Sequence, residues 1–421
     1  MVRHTPFLSQ VARDCFCALA VLASLPGLAV EGIQVEASFT MQTGTIPFAA
    51  LTSAGHGLFY GTTISDAGNN EGGVYSFASA SGAITLLDSF QSDLGTVPFA
   101  ALTAAGGGIY VGTSSSGGEN DLGSVFAFDS ATSTLHHLGS FDGANGAYPY
   151  SELLSAGGDL YYGTTYSGGA SDLGGVYSLD TRTGAITLLD SFTGSNGANP
   201  LAALIPAGGG LFYGTVGQGG SNNLGGIYAF DSTSGTISLK ASFQGVDGAI
   251  PHAPLTSAGG GTYYGTTRFG GSSGLGAVFA FNSDTSTITL QDSFTGTNGS
   301  SPFAPLTSAG EGLFYGTTNS GGTHDLGTIF AFNSLVGAIT AIDSFSGANG
   351  SNPLAGLTAG DGGVYYGTTV QGGAENAGVI YSFHPVPGPL PLWGASVAWV
   401  WCRQLRQRTQ RNLATPRVPR G

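Results

Sequence analysis

Side chains able to do chemistry are sparse in this 421-residue chain, where only 9% of residues are charged. Between the two ends its only cations are Arg182, Lys240 and Arg268. Arg268 follows a Gly-Thr-Thr triplet, at a place where matching segments carry Ile64, Ser115, Tyr166, Gly217, Asn319 and Val370. A guanidinium suits a carboxylate or sulfate group, because its planar fork of donors meets two oxygens at once. Tyr166, at the same place, offers a ring on which a sugar can stack. The plainer alternative for both is a solvated side chain. Glu152 stands where related segments have Ala50, Ala101 and Ala203, and His252 where they have Phe48, Phe99 and Phe303. If their segment lines a channel, either is a candidate catalytic acid, base or ligand. The alternative is a satisfied or solvated residue.

A second pattern is acidic. Asn70, Asp121, Asp172, Asn223, Asp325 and Asn376 each stand two positions before a glycine, and Gly274 breaks the series. Calcium takes oxygen ligands, so Asp121, Asp172 and Asp325 are metal candidates. Asx turns explain the same residues through local capping. The chain has no phosphate-cradling GxxxxGK, and its glycine pairs read as turn chemistry. No cofactor other than calcium is expected.

These residues are set on a repeat. Phe39 recurs as Phe90, Phe141, Phe192, Phe243, Phe294 and Phe345, always 51 residues apart, and a Gly-Thr pair and a proline keep the same beat. Seven copies without an insertion mean that each copy is one structural unit. Each reads as four short strands rich in Tyr, Phe, Val and Thr between Gly, Asn and Ser clusters. In the fifth copy the predicted strands are Pro254 to Ser257, Thr262 to Thr267, Ala277 to Asn282 and Thr287 to Phe294. Gly32 to Phe39 (GIQVEASF) matches the end of each later unit (AITLLDSF), while the last unit stops after Val379 to Phe383. The N-terminal strand therefore completes the last unit. Four strands per unit and that displaced strand predict an all-β, seven-bladed propeller over residues 32–384. A parallel β-solenoid is the alternative, and it gives the displaced strand no purpose. Antiparallel alternation puts the two longer connections of each unit on one face, where ligands are expected.

The ends differ from the body. Residues 1–29 carry Arg3, His4 and Arg13 before an apolar run that exits through Gly27 and Ala29, the order of a secretory signal peptide. Residues 385–421 begin with a Pro-rich break, continue through an apolar run to Cys402, and end in an Arg cluster. That run sits at the lower edge of a bilayer span. Cys15, Cys17 and Cys402 all lie in the ends, so the repeat body cannot form a disulfide. Residues 33–384 carry 23 acids against the three cations, a balance of 3 minus 23, or −20, so this body is expected to be repelled by nucleic acid and anionic membranes.

The set of YGTT, a following GG, GxVYxF and a closing SF before the next proline resembles the Gloeo/Verruco (GloVer) tandem repeats of secreted bacterial proteins. That resemblance covers about residues 33 to 384; it implies a propeller and supplies no catalytic residues. Val386 to Pro389, the apolar run and the Arg cluster resemble a PEP-CTERM sorting signal of the VPGPLPL type. It implies processing by an exosortase and delivery to the surface of a Gram-negative-type cell. The expected function is a non-catalytic binding module for extracellular polysaccharide or an envelope protein. A polysaccharide lyase or hydrolase using channel residues is the rival, and a purely structural matrix protein is the third reading.

Overall fold

Runs of Tyr, Val, Phe and Thr alternate with small residues, so each run can pack on both faces of a narrow sheet. The computed structural model describes residues 32–66 and 70–385. The expected signal peptide (1–29) and the sorting tail from residue 386 lie outside the described residues. Gly32–Phe383 is one compact unit.

Blade 5 shows the plan: Thr256–Gly259, Thr262–Thr267, Ala277–Asn282 and Thr287–Ser293 pair in chain order, each antiparallel to the last. Three strands start where the sequence places them. The first starts two residues later than predicted, because Pro254 has no N–H to give to a ladder. Six blades are contiguous in the chain. The seventh combines Thr358–Ala359, Tyr365–Thr369 and Val379–Phe383 with the N-terminal strand Gln34–Ser38. Ser38 pairs with Val379 and Gln34 with Ser382, and Phe39 N–H donates to Gly378 O at 2.9 Å. The result is a seven-bladed propeller closed by its first strand.

Seven apolar cores lie between blades, not within them. In one, Tyr264, Val278 and Phe294 of blade 5 meet Leu306, Phe314 and Phe330 of blade 6. Phe294 stands edge-on to Phe330 at 5.0 Å and 77°. Phe294→Ala would cost about 3–5 kcal/mol, since the cavity adds to the lost burial. At the closure, Phe39 and Leu51 join Tyr366 and Ile380.

The repeated Gly-Thr pair is part of this joint. Thr164 Oγ1 donates to Ala202 O of the next blade at 3.3 Å, Thr266 to Ala304 O at 3.1 Å, and Thr368 to Ala49 O at 3.2 Å across the closure. The glycine before the threonine leaves room for an aromatic ring: a Cβ on Gly163 would lie 2.4 Å from Tyr177 Oη.

The outer strands carry a bulge, as between Val176 and Tyr177, where the ladder slips by one residue. The bulge aims an aspartate at the neighbouring blade. Asp190 Oδ1 accepts from Ser191 N–H at 2.9 Å, and its Oδ2 accepts from Ile237 N–H of the next outer strand at 2.7 Å. Asp88 does the same for Leu135 and Asp292 for Ile339. These carboxylates tie the rim together.

Candidate functional site

The segment just before each first strand alternates, and that decides which side chains face the axis. In blade 3, Ser151 and Leu153 are only 2% exposed, turned into the contacts between blades. Tyr150 and Glu152 therefore point the other way, toward the centre. Neighbouring blades meet there: Phe48 lies 4.8 Å from Phe99, Phe99 lies 5.2 Å from Tyr150, and His252 lies 4.8 Å from Phe303. Leu201 and Leu354 hold the equivalent positions in blades 4 and 7. Together they form a half-buried collar around the mouth of the channel on the loop-rich face.

The two longer loops of each blade are zipped to one another behind the collar. Ala147 bridges Ser167 in blade 3, and Ala249 bridges Phe269 in blade 5. This brings Tyr166 and Arg268, each the residue after a Gly-Thr-Thr triplet, against the collar. Tyr166 stands edge-on to Tyr150 at 5.5 Å and 85°. Burial, then the nearby Tyr166 and Tyr148, raises the Tyr150 phenol above its ordinary value.

Arg268 is held by rings. Its Cζ lies 4.8 Å from the centre of Phe269 and 4.7 Å from that of Phe303, within the range of a cation–π contact. Its Nε is buried without a hydrogen-bond partner. The ion pair found among the described residues is elsewhere, between Arg182 and Asp180 at 3.6 Å. His252 packs against the same Phe303. Its burial, and secondly the charge of Arg268, push its pKa down to about 4. At neutral pH His252 is therefore an uncharged ring beside an unpaired cation.

Glu152 is exposed at its tip, while the neighbouring strands crowd the carboxyl and take part of its hydration away. That crowding pushes its carboxyl up to about 7, opposed weakly by Thr103 Oγ1 at a long 3.5 Å from Oε1. A carboxyl in that range can give or take a proton near neutrality.

The structure thus brings His252 and Arg268 together on one side of the collar. It places Tyr166, with Glu152 two residues beyond Tyr150, on another. Sequence reasoning missed Phe269 and Phe303 as the walls of the arginine site. The available signal was Phe269 itself, which stands where the other blades have Ser65, Ser116, Ser167, Gln218, Ser320 and Gln371.

Asp121, Asp172 and Asp325 lie apart from one another, each on its own blade. Their Oδ1 atoms accept from Gly117, Gly168 and Gly321 N–H at 2.9, 2.8 and 2.8 Å. Asn223 and Asn376 make the same bond to Gly219 and Gly372, both at 2.9 Å. A neutral amide serves as well as a carboxylate, so the shared work is capping the loop backbone. Among the described residues, no three His, Cys, Asp or Glu side chains gather as a metal-holding set.

The sequence matches the Gloeobacter/Verrucomicrobia repeat over residues 28–228, 111–267 and 202–391. No curated protein matches the chain in sequence. Among solved structures, it is similar to the extracellular domain of a putative one component system from B. thetaiotaomicron (10% identity, TM-score 0.53, covering 83% of this chain and 40% of that one). It is also similar to the GH74 xyloglucanase from Xanthomonas campestris (12% identity, TM-score 0.52, 84% and 55%). A third likeness is to an oligogalacturonate lyase in complex with manganese (12% identity, TM-score 0.50, 86% and 96%). The chain spans about half the length of the first two or less. At these identities the likeness is one of fold.

Proposed function

Because the chain belongs to the Gloeobacter/Verrucomicrobia repeat family, we propose that it is an exported, surface-directed binding module whose loop-rich face takes an extracellular polysaccharide. Export rests on the signal-peptide order of residues 1–29, and surface delivery on the sorting-signal resemblance of the tail. The observation that carries the binding role is the collar. Phe99, Tyr150 and Tyr166 stand in an edge-to-face chain at the channel mouth, 5.2 and 5.5 Å apart. Blades 4 and 7 close the same ring with Leu201 and Leu354, so the fold does not require aromatic rings there. Half-buried rings on a rigid scaffold give a sugar chain apolar faces to lie on at low entropic cost.

One observation favours a second reading. Glu152, raised to about 7 inside the channel, has the proton affinity of a lyase or hydrolase acid or base. Propellers of this fold include a xyloglucanase and an oligogalacturonate lyase. Their chemistry is theirs, and they bear here only on what the fold can carry.

The test is a panel of extracellular polysaccharides offered to the full chain, with binding read by calorimetry and cleavage by new reducing ends. Binding without cleavage, weakened by Tyr166→Ala and by Phe99→Ala, is the expected result. Reducing ends that vanish with Glu152→Ala would replace the binding role by the catalytic one. Retention of no polysaccharide at all would overturn both.

A further inference from the structure

Seven equivalent positions serve as internal controls: what the ring requires recurs from blade to blade, and what one blade alone carries is free to meet a ligand. Blade 5 departs most on the loop-rich face. It has Arg268 where the other blades have neutral residues, and Phe269 where they have Ser or Gln. Phe269 is 39% exposed despite its size, and Val246 on the adjoining loop is 73% exposed. The two loops are joined, since Gly271 N–H donates to Gly245 O at 2.9 Å. An apolar lip therefore borders the cation.

The cation itself is unusual. A partly buried guanidinium normally has a carboxylate, because losing water costs more than a ring face returns. Arg268 has two rings and no anion, although the chain holds 25 acids. The neighbouring His252 adds no charge and leaves the arginine as the single attraction for an anion. Lys240 lies on an outer strand and Arg182 in a short turn, away from the inner segments that make the collar, so Arg268 is the one Lys or Arg at the collar among the described residues. With a net charge of −14 behind it, the face would repel a polymer that carries a charge on every sugar.

We propose that Arg268, fixed between Phe269 and Phe303, is an anion subsite that takes one carboxylate or sulfate group of an otherwise neutral sugar chain. The proposal rests on the polysaccharide reading above and names the class of ligand. The rings hold the guanidinium plane, so its fork is already oriented and little is lost in ordering it.

The test is calorimetry on the full chain at low salt with four matched probes. They are cellohexaose, cellohexaose with one glucuronate, cellohexaose with one 6-sulfate, and the fully oxidised hexaglucuronate. Inorganic sulfate alone is a fifth arm. A single anionic group is expected to tighten binding about tenfold or more over the neutral hexamer, the worth of one charged hydrogen-bonded contact. The glucuronate and sulfate arms tell which group fits better, and hexaglucuronate is expected to bind no better than the singly charged chain. Arg268→Gln should abolish the preference, so that neutral and singly charged chains bind alike, and Arg268→Lys should restore only part of it. Other blades hold Ile, Ser, Gly or Val at this position, so both variants are expected to fold, as a thermal melt will check. Equal affinity for neutral and singly charged chains, or a preference that survives in Arg268→Gln, overturns the subsite and leaves the polysaccharide reading standing. Failure of all four sugars overturns that reading and the subsite with it. Binding of inorganic sulfate without any preference among the sugars means an adventitious ion only, and also overturns it.

Discussion

Asp343 accepts a 2.8 Å hydrogen bond from the backbone N–H of Ile33, which lies 310 residues earlier in the chain. It is the same strap that Asp190 makes to Ile237 within the ring, here made across the closure. A partly buried bond to a charged acceptor is worth about 1.5–3 kcal/mol. Asp343→Ala and Asp190→Ala are therefore expected to lower unfolding free energy by similar amounts in that range. Urea denaturation checks it, and a much smaller loss for Asp343 would mean that the closing strand is held by its ladder alone.

Tyr177 offers a stabilising change. Its hydroxyl is fully buried without a hydrogen-bond partner, and burial drives the phenol pKa upward. Blades 2, 5 and 6 place Phe126, Phe279 and Phe330 at the same point, each fully buried. Tyr177→Phe removes an unsatisfied donor and keeps the ring, so stability should rise by about 1 kcal/mol. A drop in melting temperature would show that the hydroxyl has a role.

Ile46 sits at a φ of 58°, a left-handed conformation that β-branched residues rarely accept. Asn199 and Asn352 hold the equivalent place comfortably, and their side-chain amides donate to Tyr166 O and Asn319 O at 2.9 and 3.0 Å. Ile46→Asn should relieve about 1–2 kcal/mol of strain and add a bond to Ile64 O. The side chain is 39% exposed, so little burial is lost. The measurement is a thermal melt, with an increase expected.

Glu152 and His252 should bend the pH profile of stability in opposite directions. The pKa of His252 is about 4 when folded against 6.5 as its ordinary value. As pH falls from about 6.5 to 4 the unfolded chain takes the proton first, and stability is lost. The pKa of Glu152 is about 7 against 4.5. Its folded form keeps the proton, so that contribution is full below about 4.5 and is lost as pH rises through 7. Glu152 is exposed to solvent, which makes its slope shallower than the full shift implies. Urea melts from pH 4 to 8 should show His252→Phe gaining on the parent protein as pH falls. Glu152→Gln should lead above pH 7 and converge by about 4.5. Parallel curves for either variant would show that the group titrates normally.

Asp121→Asn is expected to change stability by less than about 0.5 kcal/mol, because the amide caps Gly117 N–H as the carboxylate does. A chelator should leave the melting temperature unmoved. A chelator-sensitive melt that Asp121→Asn abolishes would instead assign calcium to that loop.

The strand order, the blade count and the closure were all readable from the chain, because a fixed 51-residue period is a local property that every copy restates. The late start of the first strand was readable too, in Pro254, which has no N–H to give to a ladder. The rim straps were hidden, since Asp190 and its partner Ile237 lie on different copies and the bulge that aims the carboxylate leaves no mark on composition. The same holds for the arginine site.

What the sequence by itself determined is the ring, its seven units, and which face bears the longer loops. Each follows from spacing along the chain. What only the tertiary structure decided is which side chains meet across blades: Phe303 stands 35 residues beyond Arg268 and still stacks on it, and Tyr150 stands 51 residues beyond Phe99 and packs edge-on against it. Those relations depend on how adjacent blades lean on one another around an axis, a distance that no count of residues along one strand contains.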